Sequence, residues 1–278
     1  MERHLLLTMG GDGGRAWNLN FAGGFFRNKT EMRLTLFYVV QEAYCDRPGG
    51  CELSENDMRT ARVQLDKARE HAIKLGFVPD NVECKAVPRQ FGVVRDIVAE
   101  GHRGLYDAVV SGRRYRGFLE QLYGSSVSRG LLWEDIAFPL WICHEPDPGL
   151  SNVLLCVDGS DENLRMADHV GFMLAEETHS VTLCHFRDPA IDGFLAIEGA
   201  RAALVANGVD ASRVEVLSLE AHDRAASILR IADEGGYAVV AVGRRHGLPD
   251  NLMRRMFGGT VSERLHTKVD RFSLWVSK

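Results

Sequence analysis

The sequence predicts an α/β protein of two tandem domains, each an open parallel sheet of five strands with helices on both faces. Three observations predict it. The segment Tyr106-Asp107-Ala108-Val109-Val110-Ser111-Gly112-Arg113-Arg114 recurs as Tyr237-Ala238-Val239-Val240-Ala241-Val242-Gly243-Arg244-Arg245. Other segments echo at nearly the same separation: Leu5-Leu6-Leu7 as Val153-Leu154-Leu155, Arg33 to Leu36 as Ser180 to Leu183, and Phe138 to Ile142 as Phe272 to Val276. A period close to half of the 278 residues means a duplicated domain, not a short-repeat solenoid. Within each copy, short runs of Leu, Val and Ile alternate with longer helical patterns, the signature of consecutive βαβ units. Finally, Glu145-Pro146-Asp147-Pro148-Gly149 interrupts both strand and helix, which places the copies at residues 1–145 and 150–278.

The elements follow in order. In the first copy the opening strand is carried by Leu5 to Leu7. The first helix contains Gly23-Gly24 within Leu19 to Phe26, and glycine costs about 1 kcal/mol relative to alanine in a helix, so a kinked or partly irregular element is expected. The second helix is well signalled: Ser54 offers a cap with Asp57 three residues on, and Met58, Ala61, Leu65, Ala68 and Ala72 mark one face. In the second copy the pattern predicts strands over 152–157, 181–186, 213–218, 237–242 and 272–277. Helices are expected over about 161–177, 190–207, 223–234 and 260–267.

Composition narrows the function. A formal net charge of -5 and a pI near 6.1 give no electrostatic reason for nucleic acid or anionic membrane as partner. No apolar run approaches the roughly 18 residues that span a bilayer, and the N-terminus does not read as a signal peptide, so a cytoplasmic location is expected. Six cysteines are too scattered for a disulfide scaffold, and Cys143, Cys156 and Cys184 sit in strand patterns as small hydrophobes. Cys45 and Cys51, close together in a Gly/Pro-rich loop, are either a redox or metal pair or two free thiols. His185, His222, His246 and His266 show no metal-ligand spacing, and no Gly-x-Ser-x-Gly turn supports a hydrolase triad.

Ligands of open parallel sheets bind at the carboxyl ends of strands near the reversal of strand order, which directs the search to the loops after the first and fourth strands of each copy. After the fourth strand of the first copy come Gly112, Arg113 and Arg114, then Gly124-Ser125-Ser126 opening a helix. Small residues before a helix let backbone N–H groups approach a phosphate, which serine hydroxyls and the helix dipole also favour; the same pattern is what a bare N-cap requires. The loop Gly10-Gly11-Asp12-Gly13-Gly14 reads either as an anion-binding loop or as a flexible connection. Arg113-Arg114, Arg244-Arg245 and Arg254-Arg255 are either phosphate contacts or solvated surface.

The two copies, the strand ending Val157-Asp158-Gly159-Ser160, and Val-Val-x-x-Gly-Arg-Arg followed by Gly-[Ser/Thr]-Val-Ser resemble tandem universal stress proteins over essentially the whole chain. The resemblance implies strand order 3-2-1-4-5 in each domain, an adenine nucleotide alpha-hydrolase-like fold, and a family split between members that bind ATP or other adenine nucleotides and members that do not. The nucleotide-binding branch carries Gly-x2-Gly-x9-Gly-[Ser/Thr] after the fourth strand and an Asp ending the first. The first copy keeps this spacing, but Tyr115 and Ser125 replace two glycines and Gly10 stands in place of the Asp. The second copy keeps Asp158, Gly243, Gly259 and Thr260, but His246 replaces the middle glycine and twelve residues, not nine, separate it from Gly259.

The second copy is therefore the expected nucleotide site, made of Asp158, Gly159, Ser160, Gly243, Arg244, His246, Gly247, Gly259, Thr260 and Val261. Gly112, Arg113, Gly124, Ser125 and Ser126 form a weaker second site. The loop from Gly247 to Phe257, longer than its counterpart, is expected to be the mobile element, either a lid or a surface insertion. No catalytic residue and no resident metal are assigned; Mg²⁺ enters as a companion of the nucleotide near Asp158, with slow ATP hydrolysis the most the residues support. The expected role is a stress-response or regulatory module. The rival is an interaction protein with both sites degenerate, serving a regulatory partner. Two fused copies make an internal pseudo-dimer and leave a further homodimer open.

Overall fold

Parallel strands joined by helical crossovers bury both faces, so the central strands here are apolar runs, while the outer strands Val82–Pro88 and Val214–Leu219 are mixed and partly exposed. The computed structural model describes residues 2–10, 16–41, 54–112, 127–134, 136–189, 191–244, 265 and 271–277. It divides into two compact units, Met1–Phe138 and Pro139–Lys278. Strand order is β3-β2-β1-β4-β5 over the first half of the sequence and β8-β7-β6-β9-β10 over the second, the 3-2-1-4-5 order in each.

The first unit holds β1 (Arg3–Met9), β2 (Met32–Val40), β3 (Val82–Pro88) and β4 (Ala108–Gly112). Its pairings β1 with β2, β1 with β4 and β2 with β3 are all parallel. Leu5, Leu6 and Leu7 of the central strand are wholly buried between Leu34-Thr35-Leu36 and Ala108-Val109-Val110. The helices are α1 (Trp17–Phe25), α2 (Glu55–Lys74), α3 (Val93–Arg103) and α4 (Val127–Trp133). At the start of α2 the expected capping box is present: Ser54 Oγ accepts from Asp57 N, and Asp57 Oδ2 accepts from Ser54 N at 2.9 Å. Helix α1 corrects the expectation of an irregular element. It is helical from Trp17 to Phe25, and Gly23 is there for packing: a Cβ would lie 2.9 Å from Leu75 Cβ, at the C-cap of α2.

The second unit holds β5 (Leu140–Cys143), β6 (Asn152–Val157), β7 (Val181–Phe186), β8 (Val214–Leu219), β9 (Tyr237–Gly243) and β10 (Ser273–Ser277). Its helices are α5 (Asp161–Leu174), α6 (Gly193–Ala206) and α7 (Arg224–Glu234). Each has an oxygen-bearing N-cap, Ser160, Asp192 and Asp223, whose side chain accepts a backbone N–H of the first turn. The helix expected over about 260–267 lies outside the described residues, apart from helical Leu265.

One pairing departs from the all-parallel expectation. Strands β5 and β10 run antiparallel, with Trp141 opposite Trp275. Edge strands this apolar need a partner, and each supplies the other with one. The two indoles stack with centroids 3.9 Å apart and planes 3° from parallel, and Trp141 Nε1 donates to His169 Nε2 at 3.0 Å. His169 lies on α5 and is buried, which pushes its pKa down to about 3.

The sign of the resulting pH dependence follows directly. Unfolded His169 takes up a proton below about pH 6.5 that the folded chain refuses until about pH 3. Its contribution to stability is complete above pH 6.5 and is lost on acidification, at most about 1.4 kcal/mol per pH unit. His169→Gln keeps an acceptor for Trp141 without the titration, so its urea midpoint should fall less steeply than that of the parent as pH is lowered through this window. Equal slopes would mean that His169 does not stay neutral in the fold.

Candidate functional site

In the second unit the strand order reverses between β6 and β9, and the loops leaving these two strands are the ones singled out in the sequence. Strand β6 ends at Val157 and the chain turns through Asp158-Gly159-Ser160 into α5. The turn needs Gly159, whose φ of +73° lies in the left-handed region, and a Cβ there would approach Ala196 Cβ on α6 at 3.2 Å. Asp158 Oδ1 accepts from Ser160 N at 3.0 Å and from Ser160 Oγ at 2.6 Å. Ser160 Oγ in turn accepts from Asn163 N at 3.4 Å, and Asn163 Oδ1 accepts from Asp158 N. Asp158, Ser160 and Asn163 thus form a closed polar circuit around the first turn of α5.

Strand β9 brings Gly243 onto the same turn. A Cβ at Gly243 would stand 2.6 Å from Asn163 N and 2.7 Å from Glu162 C, both backbone atoms that cannot step aside. Beyond it, Arg244 N donates to Ser277 O at 2.8 Å, and Ser277 Oγ donates to Glu162 O at 2.8 Å. The ends of β6, β9 and β10 are in this way tied to the start of α5. Asp161 and Glu162 already place negative charge in its first turn, so this helix end does not suit phosphate.

The carboxyl end of β7 adds His185, which is buried. Its Nδ1 lies 3.0 Å from Val157 O and donates to it, since a carbonyl only accepts. A Cβ on Gly193, at the start of α6, would meet His185 Nε2 at 2.6 Å. The imidazole therefore braces β6 against β7 beside Asp158.

The structure thus brings together Asp158, Gly159, Ser160, Gly243 and Arg244. His246, Gly247, Gly259, Thr260 and Val261, and with them the Gly247 to Phe257 loop, lie outside the described residues. Of the weaker site, Gly112 ends β4 and Arg113, Gly124, Ser125 and Ser126 lie outside, as do Tyr115, Asp12, Cys45 and Cys51. The first unit shares one device: Asn18, on the first turn of α1, donates through Nδ2 to Thr8 O at 2.9 Å and to Val110 O at 3.2 Å. A Cβ at Gly112 would stay 3.5 Å from Asn18 N, ordinary contact, so the fold itself does not demand glycine there. Asn18 and Asn163 were legible only as Asn18-Leu19 and Asn163-Leu164 recurring after the first-strand loops; no motif singles them out. Among the described residues no group of three or more His, Cys, Asp or Glu could hold a metal ion, and no helix is long and apolar enough to cross a membrane.

No family model matches the chain, and no curated protein matches it. Solved structures do. A universal stress protein from Archaeoglobus fulgidus DSM 4304 aligns with a TM-score of 0.71 over 99% of this chain and 96% of that one, at 17% identity. The chain has the fold of a tandem universal stress protein. A Pseudomonas aeruginosa UCBPP-PA14 protein provisionally named a universal stress protein aligns with a TM-score of 0.61 over 100% of this chain and 93% of that one, at 16% identity. Identity this low carries the universal stress protein fold and leaves the ligand to be argued from the residues of this chain.

The clearest of those residues for stability is Gly243. With backbone on the far side of the missing Cβ, Gly243→Ala should cost about 1–3 kcal/mol in urea denaturation without any nucleotide present. An unchanged midpoint would mean that β9 does not press on α5 as described.

Proposed function

We propose that this chain is a universal stress protein that acts as a cytoplasmic stress-response or regulatory module by binding an adenine nucleotide, ATP or an AMP-like ligand, mainly in its second half. The observation that carries the reading is the convergence of Asp158, Gly159, Ser160, Gly243 and Arg244 at the reversal of strand order, where open parallel sheets take their ligands. In this reading the polar circuit of Asp158, Ser160 and Asn163 forms one wall. The N–H groups of Gly259, Thr260 and Val261 receive the phosphates, with Arg244, His246 and Gly247 on the loop between. Mg²⁺ arrives with the nucleotide, and Asp158 is the carboxylate nearest to it. No catalytic step is included.

A second reading has a specific observation in its favour. Gly243 is explained by its contact with Asn163, and Asp158 by its bonds to Ser160, without any ligand. On that reading the two halves serve a regulatory protein partner and the phosphate loop is vestigial.

Two measurements separate the readings. Mass spectrometry of small molecules released from the purified chain, with calorimetric titration of ATP, tests binding itself. Thr260→Asp then places a like charge in the phosphate cradle and should weaken ATP binding by about tenfold or more, about 1.4 kcal/mol, while Ser126→Asp in the first half leaves it nearly unchanged. Equal losses, or a loss from Ser126→Asp alone, would move the site to the first half, and no binding by the parent chain would favour the interaction module.

A further inference from the structure

The parallel ladder between β6 and β7 sets Cys156 directly opposite Cys184. In-register partners on adjacent strands point to the same face of the sheet, and the strand spacing of about 4.8 Å puts their Cα atoms inside the range of about 4.4–6.8 Å that a disulfide spans. Cys184 is buried and Cys156 partly exposed. Mutual influence of the paired thiols sets their pKa values apart, that of Cys184 lowered and that of Cys156 raised. The pair is peculiar to the second half: the matching positions of the β1–β2 ladder are Thr8 and Phe37, so this fold does not need cysteine there for packing. Two residues beyond Cys156 the chain enters the turn at Asp158.

We propose that Cys156 and Cys184 are a peroxide-oxidisable dithiol, a modification site that closes a disulfide between β6 and β7 at the foot of the Asp158 turn. The co-reactant is hydrogen peroxide. The thiolate of the pair attacks one peroxide oxygen, an S–O bond forms as the O–O bond breaks, and the departing hydroxide takes the thiol proton as water. The second thiol then attacks the sulfenic sulfur; an S–S bond forms, the S–O bond breaks, and a second water leaves. Two thiols lose two electrons and two protons, and one peroxide becomes two waters. The site stands apart from the nucleotide reading, since it needs neither ATP nor the loop of Gly259.

The test uses the full-length chain in its native state. It is treated with stoichiometric hydrogen peroxide, its free thiols are alkylated in denaturant, and non-reduced peptides are mapped by mass spectrometry. The expected product, in the majority of chains, joins the Cys156 and Cys184 peptides with the loss of two hydrogens and is reversed by dithiothreitol. The same treatment in urea should scatter linkages among the six cysteines, which separates native geometry from chance pairing. Cys156→Ser should remove the product while leaving Cys45 and Cys51 chemistry as it was. Recovery of Cys156 and Cys184 fully alkylated, of Cys156 as sulfinic acid without a cross-link, or of Cys45 joined to Cys51 alone would overturn the proposal.

Discussion

The absence of a side chain at Gly243 is the constraint on which the described end of the second unit depends. Because no Cβ stands between β9 and the first turn of α5, the backbone of Asn163 can lie against the strand, and Asn163 can hold Asp158 through its side-chain oxygen. Ser160 and Ser277 then close the remaining polar groups of the turn. A buried helix start normally leaves backbone donors in need of partners. Here Asp158 accepts the Ser160 N–H, Ser160 Oγ accepts that of Asn163, and Ser277 donates to the Glu162 carbonyl, so the turn is closed before any ligand is considered.

The two halves share a plan and differ in how firmly it is executed. Both place an asparagine at the start of the first helix, and both have a tyrosine at the entry to the fourth strand; Tyr237 donates to Thr182 Oγ1 at 3.0 Å, and Tyr106 to Glu100 Oε1 at 2.8 Å. Among the described residues, the second half alone adds at this first helix a capping serine, a carboxylate that engages it, and a glycine that sterics require. The first helix of the first half starts at Ala16 with no side-chain cap. Duplication has preserved the frame while the strand ends diverged, which is where open sheets carry function.

How much of this could be read in the sequence depended on the range of the interaction. The capping box at Ser54 and Asp57, the strand runs and the helix starts at Ser160 and Asp223 are local, and each was visible within a few residues. Asp158 and Gly243 stood out by resemblance, but the physical reason for Gly243 did not, because its neighbour Asn163 is far away along the chain. Gly23 misled for the same reason: local propensity counted its cost, and only the contact with Leu75 explains it. Cys156 and Cys184 read as two hydrophobes until strand register set them side by side. The antiparallel join of β5 to β10 was invisible, since nothing in a strand's own residues states which edge it meets.

That join bears on how the gene can be divided. The prolines around residue 147 look like a linker between two separable halves, yet β5, which precedes them, is part of the second compact unit and lies along β10. A fragment beginning after the prolines would strip β10 of its neighbour and leave Trp275 without the ring it stacks on. The complementary fragment would carry Leu140, Trp141 and Ile142 without Val276, Trp275 and Leu274, which face them in the ladder. Open strand edges of this kind recruit other chains. A fragment meant to keep the pairing of β10 therefore has to include β5, although β5 lies ahead of the prolines.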